Sequence, residues 1–235
     1  MKYSLVIPLK NEEENVRELI EEIKPVMKGL NEPWELIAID DGSTDNTLKE
    51  LEKLKTSCPE LKVIIFDKNY GQSAAFDAGF KAAKGEFVIT LDGDRQNDPN
   101  DIPKLISLSK DADLVSGRRV NRQDPVSKKW ISKAANFVRS RFCEDGIQDT
   151  GCSLKLYRRS CFDKIKLFKG MHRFLPALFL IEGFRIKEVP VNHRERVKGA
   201  TKYNFFNRSF NTVADMFAVR WMKKRHLNYA IRKES

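Results

Sequence analysis

Asp92-Gly93-Asp94 is the triplet of this sequence best suited to chemistry: two carboxylates one residue apart, just past an apolar run, joined by a glycine that permits a tight turn. Carboxylates so spaced can converge on one hard cation, Mg2+ or Mn2+, which keeps part of its water shell and bridges the oxygens of a diphosphate. Such an ion would offset the charge of a departing nucleoside diphosphate. A plainer alternative is that Asp92 and Asp94 cap a helix starting near Pro99. Two further apolar runs end in polar residues, Pro8-Leu9-Lys10-Asn11-Glu12 and Asp40-Asp41-Gly42-Ser43. In open parallel sheets ligands bind beyond the carboxyl ends of the strands, so all three ends are candidates for one site.

Strands must carry these ends, and the first 117 residues alternate short β-branched runs with longer helical patterns, the rhythm of a parallel α/β sheet. The expected strands are 3–8, 34–40, 62–67, 87–92 and 112–117, with two more at 153–157 and 186–192. Val16, Leu19, Ile20, Ile23, Met27 and Leu30 recur at helical spacing and predict a first helix with one core face. A second helix is expected to start near Ser43 or Thr44, with Asp45 in its first turn, and a third spans about 72–84, where Ala75, Ala78, Gly79 and Ala82 form a small-residue face. A last helix, 204–225, carries Phe206, Phe210, Val213, Phe217 and Trp221 as an apolar stripe followed by Lys223, Lys224 and Arg225. That stripe suits either a lipid interface with snorkelling cations or packing on the chain's own domain or a second subunit.

Charge divides the chain. The net charge is +10, yet residues 1–117 carry 15 basic and 23 acidic side chains, residues 118–141 carry 8 and 1, and residues 194–235 carry 11 and 3. An acidic front suits a cation, and the basic segments behind it suit an anionic partner. Four cysteines, Cys58, Cys143, Cys152 and Cys161, have neither zinc-site nor redox-motif spacing, which fits a reducing setting. No apolar run reaches the length of a membrane span, so the expectation is a cytoplasmic protein.

The motifs Ser4-Leu5-Val6-Ile7-Pro8-Leu9-Lys10-Asn11-Glu12, Asp40-Asp41-Gly42-Ser43-Thr44-Asp45, Asn69-Tyr70-Gly71, Lys84-Gly85-Glu86 and Asp92-Gly93-Asp94-Arg95-Gln96-Asn97-Asp98-Pro99 occur in an order that resembles glycosyltransferase family 2. Asp149-Thr150-Gly151-Cys152 and the run from Arg196 to Tyr203 resemble its dolichyl-phosphate mannose synthase and bacterial polyprenyl-phosphate branch. Arg95 stands where many relatives carry an apolar residue, and Thr201 where serine is usual. The C-terminal transmembrane helices common in the branch are missing from the sequence.

The resemblance implies a GT-A fold, Rossmann-like, with a mostly parallel sheet flanked by helices, to which the residue spacing adds the C-terminal amphipathic helix. It also implies inverting transfer from a UDP- or GDP-linked sugar to a polyprenyl phosphate, in cell envelope glycan biosynthesis. Residues 1–203 would form the catalytic domain, 1–117 taking nucleotide sugar and metal and 118–203 the acceptor, with 204–235 as a basic helix and tail. Pro8, Asn11, Glu12, Asp40, Asp41, Gly71 and Asp92 are the expected nucleotide-sugar residues, and Asp92, Asp94 and Gln96 the metal residues. Arg118, Arg119, Arg196 and Lys202 would bind the acceptor phosphate. Asp149 is expected either as a base for a hydroxyl acceptor or as a group positioning basic side chains; an already anionic phosphate needs little help from a base.

Peripheral contact with an anionic membrane on its cytoplasmic face is expected, while a homo-oligomer or a membrane partner protein stays open. Transfer to a sugar hydroxyl of a glycan or glycolipid is the nearest alternative. A nucleotidyltransferase should carry a glycine-rich basic loop after its first strand, where this chain has Asn11 and three glutamates. A nucleic-acid-binding module would leave the acidic strand ends unexplained, so no nucleic acid is expected. His172 and His193 read as structural, His193 lying close enough to the basic loop to shape the phosphate site.

Overall fold

A computed structural model of the chain describes residues 1–120, 139–195, 205–227 and 229. Seven strands form one sheet: β1 Tyr3–Leu9, β2 Trp34–Asp40, β3 Leu61–Ile65, β4 Phe87–Thr90, β5 Leu114–Arg119, β6 Lys155–Arg158 and β7 Ile186–Val191. Their order is β3-β2-β1-β4-β6-β5-β7. Every pairing is parallel except those of β6, which runs antiparallel to both β4 and β5. The chain moves outward from β1 through β2 to β3 and then returns to place β4 on the other side of β1. The carboxyl ends of β1 and β4 therefore flank the point where strand order reverses, where a crevice opens in such sheets.

Helices α1 Val16–Gly29, α2 Thr47–Leu54 and α4 Ile102–Ser107 bury their apolar residues in one core cluster; α3 Gln72–Ala82, α5 Leu175–Ile181 and α6 Phe205–Arg225 contribute to a second. The alternation of the strands decides the split. Leu5, Ile7 and Leu9 belong to the first cluster and Val6 to the second; Leu36 and Ala38 oppose Ile37 and Ile39 in the same way. Burial on both faces is why these strands read as continuous apolar runs. The small-residue face of α3 permits a close approach: a Cβ at Gly79 would lie 2.3 Å from Val6 Cγ1.

Element ends differ from expectation by one or two residues at several strands and at α3, and two readings shift further. Helix α2 starts at Thr47 rather than near Ser43, because Ser43, Thr44 and Asp45 bond to the loop after β1 instead of opening a helix. In α6 the core-facing residues are Met216 and Val219, whereas Val213, Phe217 and Trp221 of the expected stripe are exposed. No helix among the described residues is long and apolar enough to cross a membrane.

Candidate active site

The loops that follow β1 and β2 are interlocked through their own polar groups. The Asn11 amide donates to Ser43 Oγ at 2.9 Å, the Thr44 amide to Asn11 Oδ1 at 2.8 Å, and the Glu12 amide to Thr47 Oγ1 at 2.8 Å. Asn11 sits in the left-handed region at φ 50°, a conformation asparagine tolerates better than most residues. Asp40 Oδ1 accepts from the Ser43 amide at 3.1 Å, closing its own turn. The buried Asp41 carboxylate reaches across to the loop after β3, accepting from the amides of Tyr70 at 2.7 Å and Gly71 at 2.9 Å. Gly71 has φ 91° and ψ 162°, a conformation open essentially only to glycine, and it is the N-cap residue of α3.

Gln72, the next residue, connects this network to the acidic pair: its Nε2 donates to Asp92 Oδ1 at 2.8 Å. The turn of Asp92 and Asp94 packs directly on the end of β1, since a Cβ at Gly93 would lie 2.5 Å from Leu9 Cδ2 and 3.2 Å from Glu12 Cγ. Asp94 Oδ1 accepts from the Gln96 amide at 3.2 Å, with Arg95 at the corner in the left-handed region at φ 61°. Burial, and then the neighbouring Asp94 carboxylate, push the Asp92 carboxyl up to about 6. Neither aspartate caps the turn at Pro99; that role falls to Asp98, which accepts from the Asn100 amide.

This crowding fits a divalent cation. No group of three or more His, Cys, Asp or Glu side chains among the described residues could hold a metal. Two carboxylates with an amide such as Gln96 are a partial set, of the kind Mg2+ and Mn2+ complete with water and substrate phosphate.

At the end of β5, Arg119 and Asp149 form a bidentate pair, Nε to Oδ2 at 2.7 Å and NH2 to Oδ1 at 2.8 Å, and the Arg119 amide adds a third bond at 3.1 Å. Burial alone would raise the Asp149 carboxyl, but the hydrogen bond and charge of Arg119 hold it below the usual carboxylate range. A Cβ at Gly151 would lie 2.7 Å from Arg119 NH2, so the glycine makes room for the guanidinium. Arg118 NH1 donates to Gln148 Oε1 at 3.3 Å. Arg119 lies near enough to Asp92 to lower its pKa, so the acidic pair and the Arg119–Asp149 pair share one electrostatic environment. Arg196 and Lys202 lie outside the described residues.

Several contributors escaped the sequence reading. Lys155, buried in β6, donates to the carbonyls of Thr150 and Cys152, and burial holds its ammonium below the ordinary lysine range. Ser153 Oγ donates to Asn97 Oδ1 at 2.5 Å, and Glu188 accepts from the amides of Gln148 and Asp149. Together they fix the 148–153 loop to the sheet. A lysine inside the apolar run Leu154-Lys155-Leu156-Tyr157 was the available signal. His172 pairs with Ser73 Oγ through Nδ1 at 2.8 Å, and His193 forms a bridge with Asn97 beside the acidic turn.

Relatives and solved structures resemble this chain over most of its length. Dodecaprenyl-phosphate galacturonate synthase of Rhizobium johnstonii is 39% identical over 225 residues, covering 93% of this chain and 66% of that protein. Undecaprenyl-phosphate 4-deoxy-4-formamido-L-arabinose transferase of Salmonella choleraesuis is 37% identical over 217 residues, covering 92% of this chain and 66% of that protein. The chain thus spans just under two thirds of the length of these relatives. Among solved structures, glucosyl-3-phosphoglycerate synthase from Mycobacterium tuberculosis with Mn2+, UDP-glucose and phosphoglyceric acid superposes with a TM-score of 0.73 at 19% identity, covering 94% of this chain and 80% of that one. TarS from S. aureus with UDP gives 0.57 at 22% identity, over 94% of this chain and 66% of that one. These likenesses establish the GT-A fold. The sequence model for Glycosyl transferase family 2 matches residues 4–166, well over half of the chain, and with strand-end motifs gathered at one crevice the chain belongs to that family.

Proposed function

We propose that the chain transfers a sugar, with inversion, from a UDP- or GDP-linked donor to a polyprenyl phosphate. The observation that carries this reading is the meeting of a crowded acidic pair, Asp92 and Asp94, with a preorganised guanidinium, Arg119, at one end of the sheet. The names of the relatives above, both of which specify a polyprenyl phosphate, support the same acceptor.

Pro8, Asn11, Glu12, Asp40, Asp41 and Gly71 form the donor side, with Asp41 also holding the loop that bears Gly71 in place. Asp92, Asp94 and Gln96 would hold Mg2+ or Mn2+, which when bound would offset the charge on the departing diphosphate. Gln72 keeps Asp92 oriented. Asp149 fixes the plane of Arg119, whose guanidinium suits two oxygens of a phosphate, and Arg118 adds positive charge beside it; Arg196 and Lys202, outside the described residues, are assigned to the same phosphate from the sequence alone. An acceptor phosphate oxygen attacks the anomeric carbon from the face opposite the diphosphate; the new C–O bond forms as the old one breaks, and the electron pair leaves with the nucleoside diphosphate. Asp149 removes no proton in this scheme, since its carboxylate is committed to Arg119 and the nucleophile is already an anion.

The exposed Val213, Phe217 and Trp221 of α6, followed by Lys223, Lys224 and Arg225, suit peripheral contact with an anionic membrane at its cytoplasmic face. The test is incubation with Mn2+, a panel of nucleotide sugars and polyprenyl phosphate, with extraction of lipid. A lipid-linked sugar is expected from at least one donor, and no product from any of them overturns the acceptor assignment.

A further inference from the structure

Glu22 stands on α1, outside every strand-end motif, yet two arginines from distant parts of the chain end on its carboxylate. Arg95 NH2 lies 2.5 Å from Oε1, and Arg194 NH1 lies 2.5 Å from Oε2. Arg194 continues the chain of contacts, its NH2 donating to Asp98 Oδ1 at 2.8 Å and its amide to Gln96 O at 3.0 Å. The segment around it is docked as well: the Asn192 amide donates to Asp101 Oδ2 at 2.6 Å, and His193 bridges to Asn97. One helix-borne carboxylate therefore joins the turn of Asp94, Arg95 and Gln96 to the segment that leads into Arg196.

The backbone gives this bridge its consequence. Arg95 is a non-glycine residue at φ 61°, a conformation that persists where surrounding contacts enforce it. It is the corner across which the Gln96 amide reaches Asp94 Oδ1, so the orientation of both expected metal residues depends on how Arg95 is held. Its guanidinium is tied to Glu22 in a half-buried setting, where an ion pair is screened less than at an open surface. Arg194 uses the other oxygen of the same carboxylate, so the metal turn and the entry to the basic loop share one anchor on α1.

We propose that Glu22 is a positioning residue: through Arg95 it sets the turn that presents Asp94 and Gln96, and through Arg194 it locks the start of the acceptor loop to that turn. Glu22 touches neither substrate nor ion. The inference rests on the assignment of Asp94 and Gln96 to the metal given above.

Glu22→Gln, Arg194→Gln and the double variant, with Glu18→Gln on the same helix as control, test it by two readouts. In the metal-free protein, hydrogen exchange of peptides covering 92–98 and 192–195 is expected to quicken together in Glu22→Gln while the remaining sheet peptides and the thermal midpoint hold. By calorimetry with UDP and with GDP, the Mn2+ concentration for half-maximal nucleotide binding is expected to rise about tenfold or more in each single variant, as for loss of other groups that orient metal ligands. The double variant should lose no more than the worse single one. Unchanged exchange in Glu22→Gln overturns the bridge, as do losses that multiply in the double variant, or a drop in thermal midpoint with general loosening of the sheet. Wild-type protein that binds neither nucleotide with Mn2+ overturns the donor-site reading itself, whereas exchange in the metal-free protein still decides whether Glu22 couples the two segments.

Discussion

Two pairs of aspartates end two parallel strands of this sheet, and the protein treats them in opposite ways. Asp40 and Asp41, at the end of β2, are satisfied by the chain's own amides: Ser43 for the first, Tyr70 and Gly71 for the second. Asp92 and Asp94, beyond β4, also accept from Gln72 and from the Gln96 amide, yet they stand one residue apart, and burial and mutual repulsion push Asp92 up to about 6. Carboxylates answered by backbone N–H groups hold loops in place. Carboxylates crowded against each other lower their energy by taking up a cation, which is how a folded protein can store affinity for a metal at some expense in stability.

The largest effect expected from this contrast is at Asp94. Replacing it by alanine should weaken Mn2+-dependent nucleotide binding by at least about a hundredfold, beyond the range seen for groups that only support metal ligands. Calorimetry with UDP and GDP checks it, and wild-type binding in Asp94→Ala would remove the pair from the donor site. Arg119→Lys comes next. Lysine keeps the charge but loses the fork that meets both Asp149 oxygens, so kcat/KM for polyprenyl phosphate should fall about 10- to 100-fold, the worth of one hydrogen bond to a charged partner. Retained acceptor kinetics would mean that the Arg119–Asp149 pair is structural.

The contrast between the pairs also marks what the sequence could disclose. Strand β2 was readable to the residue, and β1 and β4 nearly so, because strands buried on both faces leave continuous apolar runs ending in polar residues. Which pair would be satisfied internally was not readable, since Asp41 finds its partners at Tyr70 and Gly71, 29 and 30 residues away. Glu22 is a stronger case: its partners lie 73 and 172 residues away, and a glutamate on the polar side of an amphipathic helix carries no local mark. The same limit applies to α6, whose spacing revealed an apolar stripe while tertiary packing chose Met216 and Val219 for the core.

Acidification should separate the pairs by a smaller, graded effect. Asp92 must be ionised to take a cation, so metal-dependent nucleotide binding should be level above about pH 6 and should fall about tenfold per unit below it as the proton competes. Calorimetry between pH 5 and 7.5 in buffers of different ionisation heat would register both the fall and the proton released on binding. A profile that stays level down to pH 5 would mean that Asp92 is not crowded in the way its surroundings imply.

The smallest effect is the most discriminating, because one chemical change is expected to have opposite signs at the two strand ends. In the metal-free protein at pH 7, Asp92 is ionised in both folded and unfolded chains, and its raised folded pKa makes that charge destabilising. The cost is largest above pH 6, shrinks as the folded protein takes up its proton between about 6 and 4, and vanishes below the unfolded value of about 3.9. Asp92→Asn removes the charge, leaves an oxygen for Gln72, and should stabilise the metal-free protein by about 1–2 kcal/mol, the full shift being discounted for partial exposure. Asp41→Asn replaces one of two accepting oxygens with a donor facing backbone N–H groups, and should cost about 1–3 kcal/mol. Urea denaturation of both variants at pH 7 and pH 5 compares them directly. The gain at Asp92 should shrink at the lower pH while the loss at Asp41 persists, and destabilisation by Asp92→Asn at pH 7 would show that this pair, like the other, is held by the fold and not reserved for a cation.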